Sequence, residues 1–96
     1  MAAYLIGHVT VKDPEKWAEY RRRVPATLSS WGAELVFRGT RLAVLSGEHR
    51  HTDTVVIRFP DADSLARWHG SPAYQALLPL RAQAAELDLV SFEAAD

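Results

Sequence analysis

The chain has 96 residues, of which 48% are hydrophobic, and a net charge of -1 at pH 7. This length predicts a single domain spanning residues 1–96, and the apolar content excludes an intrinsically disordered chain. There is no cysteine, which excludes a disulfide framework and a thiolate metal site. The one tight basic run, Arg21 to Arg23, spreads around a helix rather than along one face, so the sequence disfavours nucleic-acid binding.

Membrane attachment is also disfavoured. The apolar runs fall far short of the roughly 20 residues that a membrane span needs. The start, Met1 to Tyr4, lacks the charged segment and long apolar stretch of a signal peptide. We therefore expect a cytoplasmic protein with no membrane partner.

The first two elements are a strand and a helix. Residues 4–11 alternate between two faces, as a strand does. Asp13 and Pro14 then form a helix start, with Asp as the N-cap and Pro at the first helical position. Gly32 is a natural stop. Between them lies an apolar stripe at helical spacing, formed by Trp17, Tyr20, Val24, Leu28 and Trp31.

Two strand-like runs follow, at residues 34–38 and 41–46, separated by Gly39 and Thr40. The interruption is either a tight hairpin or a bulge that bends one long strand. We favour the bulge, because it leaves a simple four-strand topology intact. Residues 47–53 are predicted to form an exposed turn.

The rest of the chain has a strand at residues 54–59, a helix capped by Asp61, a second helix restarted by Ser71 and Pro72, and a last strand at residues 87–92. The element order is typical of an α+β fold of ferredoxin-like β-α-β-β-α-β topology. Right-handed crossovers place the helices on one face of an antiparallel sheet.

The opposite face of that sheet carries no helix. It is too apolar to stand in water, so we expect a second copy of the chain to cover it and form a homodimeric barrel. The residues predicted on this face are Tyr4, Ile6, His8, Val56, Arg58, Val90 and Phe92.

Several short motifs resemble the family catalogued as domain of unknown function 1330, within the dimeric α+β barrel superfamily that includes the antibiotic-biosynthesis monooxygenases. The resemblance covers residues 4–92 and is carried by Asp13-Pro14, Tyr20, Val24 to Thr27, Gly32, Arg38-Gly39, Leu45 to Gly47, Phe59-Pro60, Trp68, Ser71 to Gln75 and Arg81. It implies a dimeric barrel with a small-molecule pocket and no particular reaction. The chain departs from the family pattern at Thr40, Ser46 and Ala73, and the last two positions lose a carboxylate.

A pocket between the helices and the sheet is the expected ligand site. Tyr20, Trp68 and Tyr74 are candidates to line it, and Arg38 and Arg81 supply positive charge. Aromatic walls with one or two cations suit a flat, anionic or phenolic organic molecule. The alternative is that the aromatic residues are ordinary core packing and the arginines lie on the rim.

The histidines raise two further hypotheses. His8, on the predicted dimer face with Arg58, is either a general base or a hydrogen-bonded interface residue. His49 and His51 have a spacing that can chelate a metal on an extended strand, but no third ligand is fixed, and a solvated loop is the alternative. We find no phosphate loop, zinc signature, flavin motif or nicotinamide motif and expect no cofactor.

The sequence thus leads to two functional hypotheses. The first is a cofactor-independent enzyme for oxygenation, cyclisation or isomerisation of an aromatic or polyketide-like metabolite. In it His8, Tyr20 and Arg38 are catalytic, and the substrate-binding residues are Trp68, Tyr74, Arg81 and Arg58. The second is a homodimer that binds a small metabolite without catalysis, or that is purely structural.

Overall fold

The computed structural model describes residues 1–95, and four of its strands form one antiparallel sheet in the order β2-β3-β1-β4. The strands and helices are β1 (Ala3–Val11), α1 (Pro14–Leu28), β2 (Glu34–Thr40), β3 (Asp53–Phe59), α2 (Ala62–Gly70), α3 (Pro72–Gln75), α4 (Leu78–Ala84) and β4 (Ala85–Glu93). The helices cover one face of the sheet. The predicted α+β, ferredoxin-like fold is confirmed.

Side chains at the predicted caps define the ends of the helices. The carboxylate of Asp13 accepts hydrogen bonds from the backbone N–H groups of Glu15 and Lys16 at the start of α1. After α1, a short 3-10 turn ends at Gly32, whose φ of 68° is the left-handed conformation that favours glycine. These ends fix where α1 lies on the sheet.

The second helical region is divided into three short helices. Asp61 caps α2 through the N–H of Ser64, and the hydroxyl of Ser71 accepts from the N–H of Tyr74 at the start of α3. Pro79 lies in the first turn of α4, where its missing N–H costs no helical hydrogen bond. Trp68 of α2 and Tyr74 of α3 are both buried in the core.

The core lies between the helices and the inner face of the sheet. Leu5 and Val9 of β1, and Ile57 and Phe59 of β3, are buried there, as the alternation predicts. The helices contribute Tyr20, Leu65, Trp68, Tyr74 and Leu77. Two of the residues proposed for a ligand site are therefore among the most deeply buried side chains of the described chain, Trp68 at 1% and Tyr74 at 0% exposure.

The prediction for the segment after β2 is wrong. Residues 41–46 are not a strand, and the irregularity in the pairing of β2 with β3 lies between Leu35 and Phe37 rather than at Gly39 and Thr40. Gly39 instead makes room for the ring of Phe37, since a Cβ at this glycine would lie 2.7 Å from that ring.

Arg41 closes the loop that replaces the second strand-like run. Its backbone N–H donates to the carbonyl of Thr52, and its guanidinium donates to the carbonyls of His49 and His51. The backbone of residues 41–52 therefore closes on itself and lacks the continuous ladder of a strand.

The outer face of the sheet is the one predicted. Tyr4 lies opposite Arg58 and Phe92, and Ile6 lies opposite Val56 and Val90. Val90 and Phe92 are 44% and 52% exposed, and no helix covers them. Within residues 1–95, no helix is both long enough and apolar enough to cross a membrane.

Candidate functional site

A small cavity of about 50 Å³, here called the inner cavity, lies between the helices and the sheet. Four residues predicted from the sequence meet there: Tyr20, Arg38, Trp68 and Tyr74. Trp17 stacks on Tyr20, with their ring centroids 5.2 Å apart, and adds a further aromatic wall.

Tyr20 and Tyr74 form a buried pair at this cavity. Their phenol oxygens are 2.8 Å apart, and the Arg81 Nη1 donates to the Tyr74 oxygen at 2.8 Å. Burial, followed by the neighbouring Tyr74, raises the pKa of Tyr20 well above its ordinary value. The Tyr20 hydroxyl therefore stays protonated at neutral pH and is a hydrogen-bond donor rather than a base.

Trp68 is a wall of the inner cavity and offers it no donor. Its indole Nε1 donates to the Thr27 Oγ1 at 3.0 Å, and its ring lies 4.2 Å from that of Tyr74, centroid to centroid. Phe59 packs on it, with ring centroids 5.5 Å apart. Since the indole N–H is already bonded, Trp68 contributes shape and apolar surface.

Two arginines lie at the mouth of the inner cavity. Arg21 and Arg38 line it, and together they also line two surface clefts of about 250 and 230 Å³. Among residues 1–95, neither has a carboxylate within ion-pair distance. Partial burial of the Arg38 guanidinium, and then repulsion by Arg21, lower the pKa of Arg38. The arrangement leaves two cations side by side without a counter-ion.

Sequence reasoning missed Arg21. A signal was present, because Arg21 directly follows Tyr20 and lies four residues after Trp17, which places it next to the apolar stripe on α1. A run of three consecutive arginines does not by itself show which of them faces the cavity mouth.

Two of the other three predicted site residues, His8 and Arg81, line a different and larger cavity. This histidine cavity has a volume of about 760 Å³ and lies beside β4. It is lined by the four histidines of the chain, His8, His49, His51 and His69, together with Arg50, Arg81 and Asp88.

His8 is half-buried in this cavity. Its Nδ1 is 3.1 Å from the Thr54 Oγ1, and its ring centroid is 4.7 Å from that of His49. Burial, and then the neighbouring His49 and His51, lower the pKa of His8 below its ordinary value. The imidazole is therefore neutral at pH 7.

His51 corrects the prediction of an exposed turn at residues 47–53. It is only 3% exposed, with Nδ1 2.9 Å from the Thr10 Oγ1 and Nε2 2.7 Å from the Asp88 Oδ2. The hydrogen bond from His51 is the main reason that the pKa of Asp88 is lowered. His51 thus ties the loop to both β1 and β4, and a fully solvated loop is wrong for this residue.

Neither the loop histidines nor their neighbours form a metal centre. In the part of the chain that the structure describes, no group of three or more His, Asp or Glu side chains has the arrangement that could hold a metal ion.

Arg58 lies apart from both cavities. It shares the outer face with His8, as predicted, but its Nη1 is 3.4 Å from the Glu34 Oε1 on the neighbouring strand. The seven predicted site residues therefore divide into an inner group of four, a histidine-cavity pair and one outer-face residue.

A family model described as Domain of unknown function (DUF1330) matches residues 2–95. The chain belongs to the DUF1330 family. The resemblance inferred from its motifs is confirmed. Comparison with curated proteins finds no match.

Solved structures share the fold of this DUF1330 chain. The RPA0582 protein of unknown function from Rhodopseudomonas palustris has a TM-score of 0.83 at 15% identity, over 99% of this chain and 83% of that one. A dimeric ferredoxin-like protein of unknown function from Jannaschia sp. CCS1 has a TM-score of 0.78 at 12% identity, over 98% of this chain and 100% of that one.

One similar structure comes from a protein of stated activity. SnoaB from Streptomyces nogalater, described as a cofactor-independent oxygenase, has a TM-score of 0.68 at 15% identity, over 99% of this chain and 94% of that one. At this level of identity the likeness shows the fold alone.

Proposed function

We propose that this DUF1330 protein is a homodimer that binds a small, flat organic anion at the inner cavity and acts on it without a cofactor. The observation that carries this proposal is the meeting of Arg21 and Arg38, both without a carboxylate partner in residues 1–95, at the mouth of an aromatic-walled cavity.

Charge favours an anionic ligand. Two like charges held near each other repel, and an anion between them relieves that repulsion. Guanidinium groups bind carboxylates and phosphates through paired hydrogen bonds, which gives direction as well as energy. Asp53 lines one of the two clefts but makes no ion pair with Arg21 or Arg38. The arginines thus remain available to a ligand.

Size favours a single ring. Drug-sized ligands occupy pockets of roughly 300–1,000 Å³, whereas the inner cavity measures about 50 Å³ and its two clefts about 250 and 230 Å³. A ring enters when the side chains of Arg21 and Arg38 swing aside, with its anionic group left in a cleft. A one-ring aromatic acid fits this arrangement better than a polyketide does.

Tyr20 supplies the chemistry. Because Arg81 already donates to the Tyr74 oxygen, the Tyr74 hydroxyl can donate to Tyr20, which directs the Tyr20 proton toward the cavity. A phenol that stays protonated stabilises an oxyanion by donating to it. Oxygenation, cyclisation and isomerisation of an aromatic or enolisable compound share an enolate or phenolate, and Tyr20 favours that form.

The homodimer is supported by the outer face. Apolar side chains of β1, β3 and β4 meet there without a covering helix, and a structure of the same fold is described as dimeric. A second sheet packed on this face buries them.

A metabolite-binding protein without catalysis is the second candidate. It is favoured by the raised pKa of Tyr20, because this inner-cavity phenol then keeps its proton and does not change its protonation state near neutral pH. Chemical conversion of a bound anion separates the two, because a binding protein without catalysis releases its ligand unchanged.

Tryptophan fluorescence tests the proposal. We expect salicylate to quench the emission of the wild-type protein with saturation, and Arg21→Ala or Arg38→Ala to weaken binding by about ten-fold or more, as expected for a charge-assisted hydrogen bond. Arg67→Ala is the matched control, since Arg67 is 69% exposed and pairs with Asp63 on α2. Equal affinity in all four proteins would show that the arginine pair does not hold the anion.

A further inference from the structure

We propose that the loop after β2 carries a dimer arm, an apolar segment that packs on a second copy of the chain. The arm consists of Leu42, Ala43, Val44 and Leu45. This proposal rests on the homodimer proposed above and adds to it a contact made by a loop rather than by the face of the sheet. It does not depend on the ligand of the inner cavity.

The arm exposes large apolar side chains that make almost no contact with their own copy. Leu42 and Leu45 are 102% and 96% exposed, and Val44 is 41% exposed. Single apolar residues scattered over a protein surface are ordinary, but two fully exposed leucines three residues apart, in a segment without a charge, form a patch. A contact with another molecule removes this patch from water, which the hydrophobic effect favours.

The loop is fixed to the rest of the chain on both sides of the arm. Arg41, just before the arm, donates its guanidinium to the carbonyls of His49 and His51. After the arm, Arg50 forms an ion pair with Glu86 of β4 at 2.7 Å. The arm therefore projects from a defined place, and a segment that is held in this way loses less conformational entropy when it binds.

The loop lies against the outer face of the sheet, where the second copy is expected to pack. The His51 Nδ1 is 2.9 Å from the Thr10 Oγ1, and the His49 ring centroid is 4.7 Å from that of His8. Thr10 and His8 alternate with buried residues of β1, so they share the outer face with Ile6. Since sheets pack face to face at about 10 Å, a second sheet on this face meets the loop at its Thr10 end. The arm is therefore continuous with the proposed dimer face.

The distribution of exposed apolar residues favours a second copy over an unrelated partner. Apart from Met1, the large ones within residues 1–95 form two groups, one on β2 and the arm and the other on the outer face of β4, at the opposite edge of the sheet. A two-fold axis parallel to the strands brings the β2 edge of one copy onto the β4 edge of the other, so the two groups meet. The first group is Leu35, Val36, Phe37, Leu42, Val44 and Leu45, and the second is Val90 and Phe92.

The backbone of the arm is also free to pair with another chain. None of the backbone hydrogen bonds formed within residues 1–95 involves residues 42–46, although this segment has the composition of a strand. The sheet ends at β2 and β4, and an edge strand presents unpaired backbone groups along one side. An extended segment that adds to such an edge of the second copy gains main-chain hydrogen bonds together with apolar contact.

The affinity of the dimer, measured by analytical ultracentrifugation, tests the contribution of the arm. We expect Leu42→Ser and Leu45→Ser each to raise the dissociation constant by about ten-fold or more, because every symmetric dimer loses the contact twice. Ala43→Ser is the matched control, since it places the same residue in the same segment but removes little apolar surface, and its dissociation constant should stay near that of the wild type. All three variants keep the fold, because these side chains are exposed. Unchanged affinity in both leucine variants would overturn the proposal.

A unique thiol shows whether the arm is buried between two copies. The chain has no cysteine, so Leu45→Cys carries a single thiol whose rate of modification by iodoacetamide reports its exposure. We expect this rate to fall at protein concentrations where the variant is dimeric, whereas Arg67→Cys, at an exposed position of α2, should react at the same rate throughout. A dimer whose arm thiol reacts as fast as that of the monomer would overturn the arm contact alone and leave the arm to a partner other than this chain. A monomer at every concentration would overturn the homodimer as well.

Discussion

The phenol oxygens of Tyr20 and Tyr74 lie 2.8 Å apart inside the core, one on α1 and the other on α3. Arg81 on α4 donates to the second of them. Residues far apart in the sequence thus form one hydrogen-bonded chain, which runs from the inner cavity to the histidine cavity. The hydroxyl groups of Tyr20 and Tyr74 are expected to contribute unequally to the free energy of unfolding.

Tyr74→Phe should destabilise the protein more than Tyr20→Phe. Removing the Tyr20 hydroxyl leaves Tyr74 bonded to Arg81, at a cost of about 0.5–1.5 kcal/mol. Removing the Tyr74 hydroxyl leaves the buried Tyr20 hydroxyl without its partner, at a cost of about 1–3 kcal/mol. Urea unfolding of both variants measures the difference, and the reverse order would contradict the hydrogen-bond chain.

Thr27→Val should destabilise the core through Trp68. The indole N–H of Trp68 donates to the Thr27 hydroxyl in a buried position, and an apolar side chain of the same shape leaves that N–H unsatisfied, at a cost of about 1–3 kcal/mol. Thr27→Ser keeps the hydroxyl and is the control. Thermal unfolding should place the Ser variant nearer the wild type, and equal losses would show that the hydrogen bond contributes little.

Asp88→Asn should reduce the loss of folding stability that occurs as the pH falls into the acidic range. The pKa of Asp88 is lowered in the folded chain from its ordinary 3.8 by the hydrogen bond from His51, so the folded state favours the ionised carboxylate. That contribution is present above about pH 4 and is lost as the pH falls through the folded-state pKa. Urea midpoints measured from pH 2.5 to 6 should fall less steeply for Asp88→Asn than for the wild type. Parallel curves would show that this carboxylate is not coupled to folding.

Phe92→Glu should prevent the proposed homodimer from forming and give monomers. Phe92 is 52% exposed on the outer face opposite Tyr4, and a charge buried there in a sheet-to-sheet interface has no partner. Ala73→Glu adds the same charge at an exposed position on α3 and is the control. Light scattering during size exclusion should give a monomer for the first and a dimer for the second. A dimer for both would place the interface elsewhere.

Local patterns in the sequence predicted most of the fold. Alternation in β1 and β3, and capping at Asp13, Asp61 and Ser71, depend on residues a few positions apart, so they are visible without the tertiary structure. The segment 41–46 has the composition of a strand but no continuous pairing with a neighbour, and composition alone does not reveal that.

The burial of His51 could not be predicted from the sequence either, because it depends on contacts with residues that are distant along the chain. Its partners Thr10 and Asp88 are 41 and 37 residues away along the chain. A histidine between polar neighbours in a predicted loop gives no sign of such contacts.

The candidate site was predicted in part. Tyr20, Trp68 and Tyr74 were found because aromatic residues at helical spacing face the sheet, and Arg38 because it precedes a glycine at a strand end. The separation of His8 from the inner cavity follows from strand alternation, which places it on the opposite face of β1 from Leu5. That Arg81 lines the same cavity as His8 depends on how α4 approaches the edge of the sheet, which local sequence does not specify.

We propose above all that a small aromatic anion enters the inner cavity past Arg21 and Arg38. The most direct measurement is an NMR titration of labelled protein with salicylate, following the indole N–H resonances of the three tryptophans. We expect saturable shifts at Trp17 and Trp68, which line the cavity, and little change at Trp31, which does not. Absence of saturation at millimolar salicylate, or shifts confined to Trp31, would contradict the claim.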